Sequence, residues 1–292
     1  VIPAQFEYVR PGSVDEAVQA LSQGLANGED VKVLGGGQSL LPVLRLRLAA
    51  PTLVVDIGGI AELRGVREEG DRIAVGAMTT HHDVVRDELL REHVALLPDA
   101  AATVADPQVR HRGTLGGSLS HADPAGDLGV VALALDAEMV IAGSDGRRTV
   151  PASEFFVDLF TTALGEDEIL TEIRFPRYTR WRHHYEKFNR TAQAWSMVAV
   201  AAALRVEGGT AGGPATIAEA RIGLTNMGST PLRATAVEQA LVGQPATEDA
   251  VRAAAERAAE GTSAPSDADA AADYREHLAR VLTGRAVLAA AG

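Results

Sequence analysis

The chain has 292 residues and carries 39 Asp plus Glu against 27 Lys plus Arg, a formal net charge of −12. That length suits roughly two domains of about 150 residues, and 46% hydrophobic with 23% charged residues argue against disorder. So acidic a chain is a poor candidate for wrapping nucleic acid or coating an anionic membrane. The lack of cysteine excludes disulfides, thiolate catalysis and any cysteine-ligated zinc or iron–sulfur centre within it.

The opening Val1–Tyr8 stretch has no basic patch followed by an apolar run. The longest apolar run, residues 197–204, is far short of the roughly 20 residues a membrane helix needs. A cytoplasmic protein with no transmembrane segment is expected. Ser13 with Glu16 forms an S-x-x-E helix start, followed by Ala17, Leu21 and Leu25 on one face. Strands are expected at 31–34, ending in Gly35-Gly36-Gly37, and at 53–57, closed by Gly58-Gly59. The texture then becomes more β-like, with strands at 64–67 and 72–77 about a Glu68–Asp71 turn. Helices are expected over 82–92, 97–105 and 128–135. A hairpin (138–142 and 147–150) follows around Ser144-Asp145-Gly146, then a strand over 168–175 halted by Pro176.

Beyond Arg177 the spacing predicts an antiparallel sheet from strands at 185–188, 196–206 and 217–224, with 208–214 as a connecting loop. Helices follow over 234–241, over 247–260 with Thr247 as cap, and over 269–290. The last has Tyr274, Leu278, Val281, Leu282 and Leu288 on its buried stripe. These shifts divide the chain into an N-terminal α/β part (1–57), a middle α+β part (58–176) and a C-terminal part (177–292).

Glycine, at 29 residues, is where the chemistry is written. In Leu34-Gly35-Gly36-Gly37-Gln38-Ser39-Leu40, three glycines after a strand let consecutive amides form a nest for phosphate oxygens, with Gln38 and Ser39 as further donors. The third position of a dinucleotide fingerprint falls on Leu40, and no Gly-Lys-Ser/Thr follows, so neither common nucleotide motif is present. A plain tight turn is the competing reading. The second stretch, Gly113-Thr114-Leu115-Gly116-Gly117-Ser118-Leu119-Ser120-His121-Ala122-Asp123-Pro124-Ala125-Gly126-Asp127, again joins a glycine pair to hydroxyl donors, with carboxylates after it. Two such loops suit a ligand with two linked phosphates, the carboxylates accepting from its sugar hydroxyls. The alternative is two unrelated turns, with Asp123 capping a helix that starts at Pro124.

Together these two stretches resemble the FAD-binding medium subunits of molybdenum hydroxylases, a group that includes the carbon monoxide dehydrogenase medium chain and the xanthine dehydrogenase flavin domain. The resemblance extends to Phe6-Glu7-Tyr8, to Ala105-Asp106-Pro107-Gln108-Val109-Arg110 and to Ile222-Gly223-Leu224-Thr225-Asn226, and so spans nearly the whole chain. It implies an α+β fold: a two-subdomain FAD-binding unit of the vanillyl-alcohol-oxidase/PCMH type, then a C-terminal domain of antiparallel strands plus helices. It also implies that Gly35, Gly36, Gly37, Gln38, Ser39 and Leu40 wrap the FAD pyrophosphate, and that Thr114, Gly116, Gly117 and Ser118 complete the grip. Asp123 and Asp127 match positions near the flavin polyol, Val104 falls near the adenine, Leu170 near the flavin edge, and Lys187 against the isoalloxazine. Ser118 stands where the family more often has Asn. Trp195 stands where some relatives have tyrosine, and is expected to lie over or beside the flavin ring, with core packing as the competing role.

The resemblance further implies a noncovalent FAD and no catalytic side chain named in this chain. Electrons come from a large molybdenum-cofactor subunit through a small subunit with two 2Fe-2S clusters, and go to an external acceptor, in a dimer of heterotrimers. The missing cysteines fit that division of labour. A stand-alone FAD oxidoreductase and a nucleotide-binding structural subunit without redox activity are the alternatives. A metal at His121, Asp123 and Asp127 is the competing use of those residues, and the expectation is no metal site. Carbon monoxide is the favoured substrate of the whole enzyme, although the substrate pocket belongs to the large subunit.

Overall fold

The computed structural model describes residues 2–209 and 214–292, so part of the loop expected over 208–214 lies outside the described residues. The chain begins with β1 (Glu7–Val9), α1 (Val14–Ala26), β2 (Val31–Leu34), α2 (Leu40–Leu46) and β3 (Leu53–Asp56). The three strands form a parallel sheet in the order β1-β3-β2. Ser13 Oγ caps α1 by accepting from the Glu16 amide, while the Glu16 carboxylate accepts from the Gly12 amide at 2.7 Å, one residue upstream of the usual reciprocal bond. Val14, Ala17 and Leu21 bury the inner face of α1 against Leu53, Val55 and Ile57.

The middle part adds β4 (Val66–Glu69), β5 (Arg72–Gly76), α3 (His81–Arg86), α4 (Glu88–His93), α5 (Leu96–Ala102), α6 (Pro107–Arg110), α7 (Leu115–His121) and α8 (Asp127–Ala134). It closes with β6 (Glu138–Gly143), β7 (Gly146–Pro151), α9 (Ala152–Phe155), β8 (Phe156–Asp158), β9 (Thr161–Thr162) and β10 (Ile169–Pro176). Five of these strands make an antiparallel sheet in the order β4-β5-β10-β6-β7, with a register shift in β10 between Leu170 and Glu172. The turn expected over 68–71 shrinks to Gly70 and Asp71, because pairing continues to Glu69↔Arg72 and Gly70 takes a positive φ. The single helix expected over 82–92 is two. Asp87 leaves helical space at ψ 127° and its carboxylate accepts from the Leu90 amide at 3.0 Å, starting a new helix instead of continuing the old one.

The C-terminal part contains β11 (Arg182–Phe188), β12 (Val198–Glu207), β13 (Thr216–Leu224), β14 (Leu232–Arg233), α10 (Thr235–Leu241), α11 (Glu248–Ala255) and α12 (Ala272–Ala291). Its strands form an antiparallel sheet in sequence order. β12 is buried on both faces, which explains why residues 197–204 read as an unbroken apolar run. Ala199, Ala201 and Ala203 face the core of the middle part, whereas Val198, Val200, Ala202 and Leu204 face the core shared with α12. Thr247 makes no side-chain cap on α11. α12 begins three residues later than expected, because the Asp267 carboxylate accepts from the Asp269 and Ala270 amides and holds them in a turn. Of the expected stripe of α12, Leu278 and Leu282 are buried, Val281 and Leu288 half-buried and Tyr274 exposed, and Arg275, Ala279 and Ala286 complete the buried face. No helix among the described residues is long and apolar enough to cross a membrane.

The C-terminal sheet seats on α8 through Gly223. A Cβ there would lie 2.5 Å from Val130 Cγ2 and 3.0 Å from the Val130 carbonyl oxygen. Gly223→Ala is therefore expected to cost about 1–3 kcal/mol, the usual range for an extra carbon forced into a packed core. An unchanged urea midpoint would contradict this packing.

Candidate functional site

A cleft of about 610 Å3 opens among the three sheets, and all sixteen residues singled out from the sequence lie on its lining. Its floor is the turn after β2. The amides of residues 35–40 donate to no acceptor within the protein among the described residues, and Gly37 takes a φ of +74°. These residues line the cleft and are half-buried or exposed, so the run of six offers its donors to an acceptor from outside the chain. A Cβ on Gly36 would overlap the Arg112 carbonyl oxygen and lie 2.9 Å from Gly113 Cα. Gly36 is thus bare because another backbone passes beside it. The Gln38 side chain turns back, donating from Nε2 to the Gly36 carbonyl at 3.2 Å, and braces the turn.

The second glycine stretch is not a loop but the start of α7. Thr114 is its N-cap, with Oγ1 accepting from the Gly117 amide at 3.2 Å. The Leu115 amide donates to Thr79, the Gly116 amide to Ala77 and the Ser118 amide to Thr114, so this stretch offers far fewer backbone donors than the first. Gly116 is small because Ala77 Cβ would sit 2.5 Å from any Cβ it carried. The side chain of Ser118 and those of Ser120 and His121 remain on the cleft wall. Of these, Ser120 has no role in the sequence pattern and His121 only that of a competing metal ligand.

The two carboxylates differ. Asp123 Oδ1 accepts from the Ala125 amide at 2.9 Å, forming a turn before α8 and not a cap on a helix at Pro124; its Oδ2 is 4.0 Å from His121 Nε2. Asp127 is buried and accepts from Tyr185, Ser196 and Lys187, so most of its acceptor capacity is engaged by protein groups. Lys187 Nζ lies 2.8 Å from Asp127 Oδ2 and also donates to the Thr103 carbonyl at 3.2 Å, with side-chain exposures of only 7% and 3% for the pair. No group of three or more His, Asp or Glu among the described residues is placed to hold a metal.

Val104 follows α5, and Leu170 is buried in β10 on the opposite wall. Next to Val104, Ala105 has a φ of +41°, a conformation braced by Arg110, which donates to the carbonyls of both residues. Trp195 projects from the β11–β12 connection with 56% of its surface exposed. It is not a core residue.

His81 also lines the cleft and is not among the sixteen residues singled out from the sequence. Long-range pairing places it there: Thr80 bridges Thr114, and the His81 amide donates to the Gly113 carbonyl at 2.9 Å. Its ring is buried and Nδ1 has no partner among the described residues. Burial, with a smaller contribution from the Arg110 charge, pushes its pKa down to about 4. The folded state therefore resists the proton that the unfolded chain takes up near pH 6.5. His81 leaves stability intact above that pH and lowers it as pH falls toward 4, by up to about 3 kcal/mol. His81→Phe is expected to flatten the fall in urea midpoint between pH 7 and pH 4.5; an equal fall in both proteins would contradict this placement.

Comparison with known proteins agrees with this geometry. Residues 4–178 match the FAD binding domain in molybdopterin dehydrogenase, and residues 183–290 match the CO dehydrogenase flavoprotein C-terminal domain. The carbon monoxide dehydrogenase medium chain of Hydrogenophaga pseudoflava is 41% identical over 99% of this chain and 98% of its own. A solved carbon monoxide dehydrogenase from the same organism superposes with a TM-score of 0.93 at 42% identity, covering 99% of this chain and 98% of that one. Quinoline 2-oxidoreductase from Pseudomonas putida 86 also reaches a TM-score of 0.93, at 34% identity, covering 100% of this chain and 98% of that one. The chain belongs to the family of FAD-binding medium subunits of molybdopterin dehydrogenases.

Proposed function

We propose that this chain is the FAD-carrying relay of a molybdenum hydroxylase, with the diphosphate of FAD seated on the amides of residues 35–40. The observation that carries this reading is the row of unpaired donors on the cleft floor, which suits two linked phosphates and needs no charged side chain. Thr114 and Ser118 flank that row. Val104 and Leu170 supply apolar walls for the two ring systems, Lys187 presents its ammonium, and Trp195 offers an exposed indole for stacking. When bound, FAD supplies reversible two-electron chemistry; the protein supplies grip, orientation and local charge.

In this reading electrons reach the chain from a small 2Fe-2S subunit, having left a large molybdenum subunit, and go on to an external acceptor. The assembly is a cytoplasmic dimer of heterotrimers. A chain without cysteine carries no thiolate-ligated cluster, which fits the division. No side chain is assigned as acid or base. A stand-alone oxidoreductase is disfavoured because the chain is 41% identical to a carbon monoxide dehydrogenase medium chain over 98% of that chain. Carbon monoxide remains the favoured substrate of the complex on sequence likeness. Equal superposition on a quinoline oxidoreductase supports placing the choice of substrate in the partner subunit.

The purified chain is expected to take up one FAD and show flavin absorption, and Gly36→Val to remain colourless, because a side chain there forces the turn away from Arg112. Stoichiometric FAD in Gly36→Val would show that the turn is not the seat of the cofactor. A wild-type chain purified from its native host without molybdenum and iron–sulfur partners would favour the stand-alone alternative.

A further inference from the structure

The C-terminal wall of the cleft is fastened by one carboxylate. Asp127, the first residue of α8, is buried, and three side chains from the C-terminal part converge on it. The Tyr185 hydroxyl donates to Oδ1 at 2.7 Å, the Ser196 hydroxyl donates to the same oxygen at 2.9 Å, and Lys187 Nζ donates to Oδ2 at 2.8 Å. Burial and the Asp127 charge push the Tyr185 phenol well above its usual value, so Tyr185 stays a donor throughout the working pH range. The Lys187 ammonium has three hydrogens. Asp127 and the Thr103 carbonyl take two, and the third has no acceptor among the described residues although Lys187 lines the cleft.

The same place is tied twice more. Asn226, at a φ of +55°, donates from its backbone to the Pro124 carbonyl at 2.8 Å and from Nδ2 to the Ser196 carbonyl at 2.9 Å. Residues 124–127, Ser196 and Asn226 therefore form a knot directly behind Trp195. The motif ending in Asn226 and the second carboxylate of the glycine stretch both contribute to this knot.

We propose that Asp127 is a positioning residue: it fixes the Lys187 ammonium on the cleft wall and, through Ser196, the base of the loop that carries Trp195. This rests on the reading above that Lys187 faces the flavin. A buried ammonium keeps its place and charge only beside a counter-charge, so the pair together sets the electrostatic environment that the cofactor meets. Removing Asp127 therefore releases or neutralises the ammonium, so loss of either member acts in the same direction on a flavin that gains negative charge on reduction.

The test uses the full chain loaded with FAD and reads the flavin midpoint potential and the FAD dissociation constant. Asp127→Asn, which keeps shape and loses the counter-charge that holds the ammonium, is expected to lower the potential in the same direction as Lys187→Met. Lys187→Met is expected to lower it and to weaken FAD binding roughly tenfold, as loss of one charge-assisted hydrogen bond does. The double variant is expected to match Lys187→Met, because Asp127 acts on the flavin through Lys187. Tyr185→Phe changes no charge and lies outside the cleft lining; it is expected to lower the potential by a smaller step, and serves if Asp127→Asn does not fold. A lowered potential in Lys187→Met with no change or a rise in Asp127→Asn would overturn the positioning role alone. Wild-type potential and affinity in Lys187→Met would instead overturn the placement of Lys187 against the flavin.

Discussion

A Cβ on Gly36 would overlap the carbonyl oxygen of Arg112, so the turn after β2 and the segment entering α7 meet backbone to backbone with no side chain between them. Everything on the cleft floor depends on that contact. It joins a parallel sheet of the first 56 residues to an antiparallel sheet of the next 120 or so, parts that also share a small apolar core in which Val14, Leu21 and Leu53 cluster with Met78, Ala142 and Ile169. It also explains the unequal use of two similar-looking glycine stretches. The first keeps its amides unpaired and faces the cleft, while the second closes its amides into the start of a helix and supports the first.

The third part completes the site by covering it. β12 is the hinge of that arrangement in the packing sense: alternate residues along one strand belong to two different cores, and both faces are dry. β11 runs beside it and brings Tyr185 and Lys187 to the cleft margin, in register with Ala201 and Ala199. Asp127 then receives them across the junction. Buried ion pairs are weak contributors to net stability but penalise wrong arrangements heavily when one partner is misplaced. A carboxylate shared by three donors specifies how the covering domain sits more than it strengthens the whole.

Much of this was legible in the sequence. The glycine stretches were visible because a run of residues without Cβ has few uses, and their order and context pointed to one family. The sheets followed from alternation and turn residues, and β12 from its apolar length. What the sequence could not show was which backbone groups were already engaged. Thr114 reads as a donor in a loop until its hydroxyl is seen accepting from Gly117, and Asp127 reads as a ligand contact until three donors arrive from beyond residue 184. His81 was missed for the same reason, since only the distant Thr80–Thr114 pairing puts it on the cleft. The break at Asp87 and the late start of α12 were local, but in both an Asp side chain bonded to nearby amides outweighed a helical pattern.

A crystal structure of the chain with FAD bound would test the account most directly. The diphosphate oxygens should lie within hydrogen-bond distance of the amides of residues 35–40, with the turn still packed on Arg112 and Asp127 still facing Lys187. A diphosphate held elsewhere, with those amides left to solvent, would contradict it.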